Sequence, residues 1–429
     1  MEIKRGYKQT EIGVIPEDWE VERLGNIGHW FSGGTPSMAN DQYWNGQIPW
    51  VSAKDMKVAR IRDSILHVTA KAIGNGTRLA PPETLLMVVR GMILAHTFPV
   101  AVATRPIAFN QDIKALTVRV GIDSEFILRW LQANAQRVLE IASESTHGTK
   151  RIPSSDLFSM KIALPPLPAQ HSIAGALSDA DALIESLERL IEKKRKFKQG
   201  AMQELLTGKT RLPGFEVQPE YKQTEIGMIP VDWDVKPLRA LADKIMVGIA
   251  SAATHAYRDR GIVMFRNQNI KPGRLDDSDI LYIDPNYEAI FKNKRLKSGD
   301  LLTARTGYPG TTSIVPQKYE GAQSFTTLIT RPSCHLIDPN YLCCFINSNA
   351  GQAYFEQNQI GGGQKNVNAG SLKHLPVPVP PTKAEQEAIA ATHSDMDAEI
   401  IALEAKLAKS RQIKRGMLQE LLTGRIRLE

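Results

Sequence analysis

The strongest constraint in this 429-residue chain is a segment that occurs twice. It reads QHSIAGALSDADALIESLERLIEKKRKFKQGAMQELLTGKTRL from Gln170 to Leu212. It returns as QEAIAATHSDMDAEIIALEAKLAKSRQIKRGMLQELLTGRIRL from Gln386 to Leu428, an offset of 216 residues (386 − 170). Apolar residues recur at gaps of three and four, as Ile173, Leu177, Ala180, Ile184, Leu187 and Ile191, then as Ile389, Met396, Ile400, Leu403 and Leu407. Side chains at that spacing share one stripe of an α-helix. His393 interrupts the second stripe where the first has Leu177. A helix of ~38 residues is ~57 Å long, and a stripe of that length needs cover. Each copy is the available cover for the other, so the spacing predicts two long helices packed as a pair through these residues.

The repeat extends beyond the helices. YKQTEIGVIPEDW (Tyr7–Trp19) returns as YKQTEIGMIPVDW (Tyr221–Trp233), with 11 of 13 positions identical at an offset of 214. Each copy holds an Ile-Pro-x-Asp-Trp turn, in which proline fixes φ and the Trp can pin the segment to a neighbour. Between each such segment and the next helix lie about 145 residues that scarcely match, Gly25–Pro166 and Arg239–Pro381. Both read as mixed α/β, with β-rich runs such as LLMVVRGMILA (85–95) and DLLTARTG (300–307) between Gly, Pro and Asn punctuation. One short helix is predicted in each, near Glu125–Ala142 and Pro339–Gln357. Gly148, Lys150, Leu157 and Pro165 return as Gly363, Lys365, Leu372 and Pro380, all at an offset of 215.

The expected organisation is an N-terminal segment with a first variable domain (1–166), a central helix (167–212), a repeat segment with a second variable domain (213–381), and a C-terminal helix (382–429). Pro168 suits the first turn of the central helix. Thr382-Lys-Ala-Glu385 has the capping-box pattern, and Gly208 and Gly424 suit the left-handed conformation at a helix C-terminus. The fold class is therefore α+β with an internal pseudo-twofold repeat.

Several function classes fall away on composition. No apolar run approaches the ~18–20 residues that span a bilayer, and MEIKRGYKQTEIG lacks the apolar centre of a secretory signal. Three cysteines without metal-ligand spacing suit a reducing compartment, so the expected location is cytoplasmic and membrane-free. A net charge of +7 permits a polyanionic partner without pointing to one.

Catalytic patterns fare no better. Gly208-Lys209-Thr210 resembles the end of a phosphate loop, but position 203 is Gln and the motif follows a helix instead of preceding one. Asp284-Pro-Asn-Tyr287 and Asp338-Pro-Asn-Tyr341 resemble an amino-methyltransferase motif, yet Asp-Pro-Asn is a common turn. No histidine or cysteine set has zinc spacing, and there is no nucleophile elbow. The chain is read as having no catalytic or metal site of its own. The basic run Lys193–Lys198 reads equally as a phosphate contact or a solvated helix face.

What remains are polar and basic residues on Gly- or Pro-rich loops of the variable domains. The first domain offers Ser32, Gly34, Thr35, Lys54, Arg90, His96, Lys150 and Arg151. The second offers Arg266, Asn267, Gln268, Arg305, Tyr308, Lys365 and Asn366. Arg and Lys suit guanine edges, and Asn and Gln suit adenine.

The whole arrangement resembles the specificity subunit of a type I restriction–modification system, over nearly the full chain. The resemblance is carried by YKQTEIGVIPEDW, by SGGTPS at Ser32–Ser37 with YWNGQIPWVSAKDM after it, and by GDLLTARTG at Gly299–Gly307. The Gln-x-x-Ile-Ala opening of each helix and the endings MQELLTGKTRL and LQELLTGRIRL complete it. The second domain lacks an SGGTPS equivalent. The resemblance implies two target-recognition domains, each reading half of a split, asymmetric site in double-stranded DNA, separated by an antiparallel coiled coil that sets the spacing. It implies two docked methyltransferase subunits and attached restriction–translocase subunits. S-adenosylmethionine, ATP and Mg would belong to those partners and not to this chain. The alternative is a stand-alone sequence-specific DNA-binding regulator, against which the internal repeat counts.

Overall fold

A computed structural model describes residues 5–144, 149–216, 220–251, 254–358 and 366–428. The duplicated segments are helices, Leu167–Leu206 of 40 residues and Lys383–Leu421 of 39. Contacts divide the chain into two units, Met1–Glu188 with Ala405–Glu429 and Arg189–Glu404. Each unit therefore holds part of both long helices.

Within each unit the helices run antiparallel. In the first, Asp181 pairs with Lys414 and Glu188 with Arg411. In the second, Asp397 pairs with Lys198 and Glu404 with Arg195. These are the same two pairs displaced by 216 residues, so each unit repeats the other's bonds. Lys194 adds a bond to Glu399. The basic run is thus spent largely on carboxylates of the facing helix. Leu187, Ile191 and Ile400 are buried, and Ile184, Met396, Leu403 and Leu407 are half-buried. Toward the helix starts the stripe serves the domains: Ile173 and Leu177 lie in one core with Phe126 and Ile127, and Ile389 lies in another with Tyr341 and Leu342.

The near-identical Tyr-to-Trp segments are docking pieces for the helix ends. Tyr7–Thr10 pairs antiparallel with Gly13–Pro16, and Tyr221–Thr224 with Gly227–Pro230, in the same register. Gly424 and Gly208 end the helices at φ 69° and 68°. A Cβ on Gly424 would lie 2.4 Å from Pro16 Cδ, and one on Gly208 2.6 Å from Pro230 Cδ. The Tyr7 and Tyr221 hydroxyls donate to the Gly424 and Lys209 carbonyls at 3.1 and 3.2 Å. Trp19 and Trp233 are fully buried beneath. Only glycine satisfies both the left-handed backbone and the close approach of proline.

At the helix starts one residue acts as a clasp. Gln170 and Gln386, each 2% exposed, accept from the backbone N–H of Asp123 and Asp338 at 2.8 Å. Their amides donate to the Pro165 and Pro380 carbonyls. Asp123 and Asp338 cap the domain helices Ser124–Ala133 and Pro339–Ile346. The expected capping box is half made. Thr382 Oγ accepts from Glu385 N at 3.3 Å, but the Glu385 carboxylate turns to Arg211 instead of closing the box.

In the first unit a five-stranded sheet runs in the order Gly28–Ser32, Ile113–Val118, Leu85–Val88, Val100–Ala103, Arg60–Ile61. In the second, Ala242–Val247, Leu328–Pro332, Leu301–Thr303 and Thr312–Ile314 form its four-stranded counterpart. Every residue of Leu85–Val88 and Leu301–Thr303 is buried, as expected for strands flanked on both sides. The single domain helices expected near 125–142 and 339–357 are each broken in two. Asn134 and Asn347 donate their side-chain amides to the carbonyls four residues back, at 2.9 Å each, which closes the first helix before a second begins. Each domain joins the frame through a two-stranded ribbon, Glu20–Arg23 with Lys161–Leu164 and Asp234–Pro237 with Pro376–Val379.

Candidate nucleic-acid interface

In the first unit three segments converge on the turn Phe109–Asp112. Gly34 N donates to Phe109 O (2.9 Å), Asn110 N to Val51 O (3.0 Å) and Val89 N to Asp112 O (2.8 Å). Thr35 Oγ donates to Gln111 Oε1 at 2.6 Å. A Cβ at Gly33 would sit 2.1 Å from the Phe109 carbonyl, so the chain passes there only as glycine. Beyond Val89, Arg90 and Gly91 pair with Arg151 and Lys150, and Ile152 N donates to Val89 O at 2.9 Å. The fold thereby brings three cations from segments 60 residues apart onto one ribbon. Arg90 and Arg151 are exposed and Lys150 half-buried. Nearby, Lys114 donates to Ser154 Oγ at 2.8 Å, and its pKa is lowered by burial and by the charge of Arg151.

Ser32 and Lys54 are exposed on the converging loops, Lys54 in a turn closed by Asp55 accepting from Ser52. His96 is exposed at the far end of the turn Met92–Ala95.

The second unit builds the same convergence on Ser324–Thr327. Ile249 N donates to Ser324 O (2.7 Å), Gly248 N to Thr327 O (2.9 Å) and Phe325 N to Phe265 O (2.7 Å). A Cβ at Gly248 would lie 2.3 Å from Ser324 O, which makes Gly248 the counterpart of Gly33. The second domain, which lacks an SGGTPS equivalent, makes this close backbone passage with other letters. Asn267 ties the loops together, accepting from Arg305 N at 2.7 Å and donating to Thr326 Oγ at 3.2 Å. Thr326 has φ 54°, a conformation costly for a β-branched residue. Val367 N donates to Arg305 O at 3.1 Å, the bond that Ile152 makes to Val89.

Arg266 and Gln268 both donate to Asp279, at 2.8 and 2.7 Å, so one carboxylate holds both side chains. Arg305 Nε and Asn366 Oδ1 are buried without a hydrogen-bond partner among the described residues. Tyr308 is 81% exposed. Lys365 lies outside the described residues.

Sequence reasoning missed Gln111, Thr326, Gly248 and the clasp glutamines. Carrying the 215-residue offset through the divergent domains would have matched Gly33 with Gly248, and Gln111 with Thr326.

The patterns set aside on sequence have structural roles. Asp284 accepts from the N–H groups of Asn286 and Tyr287, and Asp338 from that of Tyr341, so both Asp-Pro-Asn-Tyr runs are helix caps. Burial pushes the Cys344 thiol up to about 12 and Cys343 higher still, which keeps both protonated and poor nucleophiles. Among the described residues no His, Cys, Asp and Glu cluster suits a metal ion, and no helix is long and apolar enough to cross a membrane.

Comparison with known proteins gives a consistent result. The family described as "Type I restriction modification DNA specificity domain" matches residues 16–193 and 230–415. The EcoR124I/EcoR124II specificity subunit of Escherichia coli is 33% identical over 196 residues, 44% of this chain and 48% of that one. The MjaVIII specificity subunit of Methanocaldococcus jannaschii is 25% identical over 439 aligned positions, 99% of this chain and 97% of that one. Among solved structures, the type I S subunit from M. genitalium superposes with a TM-score of 0.55 at 13% identity, over 98% of each chain.

Proposed function

The chain belongs to the type I restriction–modification DNA specificity family, and from that premise we propose that each unit reads one half of a bipartite, asymmetric DNA site. The observation that carries this reading is the repeated convergence of loops. Two equivalent backbone bonds, Gly34 N to Phe109 O and Asn110 N to Val51 O in one patch and Ile249 N to Ser324 O and Phe325 N to Phe265 O in the other, build the two patches with unlike side chains. Arg90, Lys54 and Arg151 stand in the first, where cations suit guanine edges. Gln268, Arg305 and Asn366 stand in the second, which adds amides suited to adenine. One frame with two differently lettered patches fits a site of two different halves.

In this reading the paired helices set the gap between the half-sites, a 40-residue helix being about 60 Å long at 1.5 Å per residue. The same helices dock two methyltransferase subunits, and restriction–translocase subunits join that assembly. Methyl donor, ATP and Mg are handled by those partners, while this chain supplies sequence recognition and carries out no chemistry.

The test is a methylation map of a host expressing this chain with a methyltransferase partner, against a host lacking the chain. One bipartite motif with a fixed gap, N6-adenine methylated only when the chain is present, is expected. No motif, although the two proteins co-purify, would contradict the reading.

A further inference from the structure

We propose that Met92 and Tyr308 are a matched pair of apolar wedges, one per unit, that enter the base stack of the duplex beside each reading patch. The inference rests on the DNA-reading function above and adds to it a named pair of residues and a mode of contact.

The two residues hold the same place. LLMVVRGM (85–92) and LLTARTGY (301–308) align without a gap, each beginning with the buried central strand of its sheet. The strand exit is fixed in both by the same backbone bond, Ile152 N to Val89 O and Val367 N to Arg305 O. Each chain then turns through a positive-φ glycine, Gly91 at 140° and Gly307 at 80°. The next residue is Met92, 71% exposed, or Tyr308, 81% exposed. Exposure alone is weak evidence, since single apolar side chains on a surface are ordinary. Val120, for example, is fully exposed, but the 215-residue offset set by Asp123 and Asp338 gives it the polar counterpart His335. Met92 and Tyr308 stand apart because two otherwise divergent domains place a large, apolar or aromatic side chain at one and the same outward point.

The surroundings select the occupant. Met92 follows Arg90 on the ribbon with Lys150 and Arg151, and Tyr308 follows Arg305, next to the segment carrying Asn366. A protein partner that buried these tips would also have to desolvate those charges. A duplex instead offers phosphates to the cations and an apolar stack to the tip. Wedges of this type partly unstack one base step and kink the helix axis.

The experiment uses the full chain assembled with its methyltransferase partner, on duplexes carrying the mapped motif with 2-aminopurine at successive steps. Wild type is expected to brighten at one step near each half-site. Y308A is expected to lose the signal at one half-site only and to bind about 10- to 100-fold more weakly, as for loss of one base–aromatic stack. Y308F should retain both signals, and M92A should lose the signal at the other half-site. Unchanged affinity and fluorescence in both alanine variants would overturn the wedge and leave the DNA-reading function standing. Loss of co-purification with the methyltransferase, with DNA contacts intact, would assign the tips to the protein partner and overturn the wedge as well. A wild-type assembly that binds no motif duplex would sink the underlying function and the wedge together.

Discussion

The two units seat their domain helices on the long helices by the same clasp, then diverge one turn later. In the first unit Arg129, with its side chain 6% exposed, reaches Asp181, Ser178 Oγ at 3.1 Å and Glu125 at 2.8 Å. The equivalent residue in the second unit, by the 215-residue offset, is Cys344. There Asp397, the counterpart of Asp181, is left to Lys198 and to His393 at 3.4 Å. A cleft of about 1130 Å³ opens beside them, lined by Cys343, Cys344, His393, Lys198 and Met202 among others.

Charge has been moved and not lost. At the helix ends the asymmetry reverses. Arg427 pairs with Asp18 while 53% exposed, whereas Arg211 is 9% exposed and binds both Asp232 and Glu385, the latter 1% exposed. Ala169 stands where Glu385 would be in the first copy. The duplicated frame has kept its backbone bonds and placed its buried ion network differently in each unit. The first domain is clamped at its domain helix, and the second is clamped at the start of its long helix.

Four variants test this contrast. The largest effect is expected at Arg211. R211A strands a buried carboxylate and should cost about 3–5 kcal/mol in denaturant unfolding, whereas R427A, at an exposed pair, should cost about 0–1 kcal/mol. Equal costs would erase the asymmetry. Next, R129A should cost about 2–3 kcal/mol by removing hydrogen bonds to charged groups. The converse variant C344R, with room in the cleft and Asp397 in reach, should stabilise by roughly 1 kcal/mol; destabilisation would show that the units are not interchangeable at this position.

The smallest effect depends on pH. Burial, and then the charge of Lys198, lower the His393 pKa from 6.5, with Asp397 opposing. A histidine whose folded pKa is depressed leaves the unfolded chain binding more protons, so stability falls as pH drops below 6.5 and levels off under the folded pKa. Thermal melts of wild type should show this loss, and H393L, which restores the Leu177 counterpart, should lack it. A loss that persists in H393L would assign the titration to another group.

Much of this architecture was legible because duplication wrote it twice. The helices, their Gly208 and Gly424 ends and the docking role open to Trp19 and Trp233 follow from periodicity and repetition. The clasp of Gln170 and Gln386 was visible as a repeated letter but not as a role, since its partners lie 47 and 48 residues away. The broken domain helices escaped because Asn134 and Asn347 act through side-chain bonds that periodicity does not register. The patches were only partly legible. Arg90 and Arg151 are joined by non-local strand pairing, and Arg305 meets the segment of Asn366 through the bond from Val367 N. Gly248 was hidden because a close approach requires the absence of a side chain and not any surrounding motif. That Arg266 and Gln268 would be held by Asp279 had no sequence signal.

The measurement that tests the central claim most directly is a methylation map of a chimera in which residues 25–160 come from a relative with a different target. The cuts leave the ribbon of Glu20–Arg23 and Lys161–Leu164 within the frame. The account predicts that one half of the bipartite motif changes while the other half and the gap stay as they were. A change in both halves, or in the gap alone, would contradict two independent readers on a common frame.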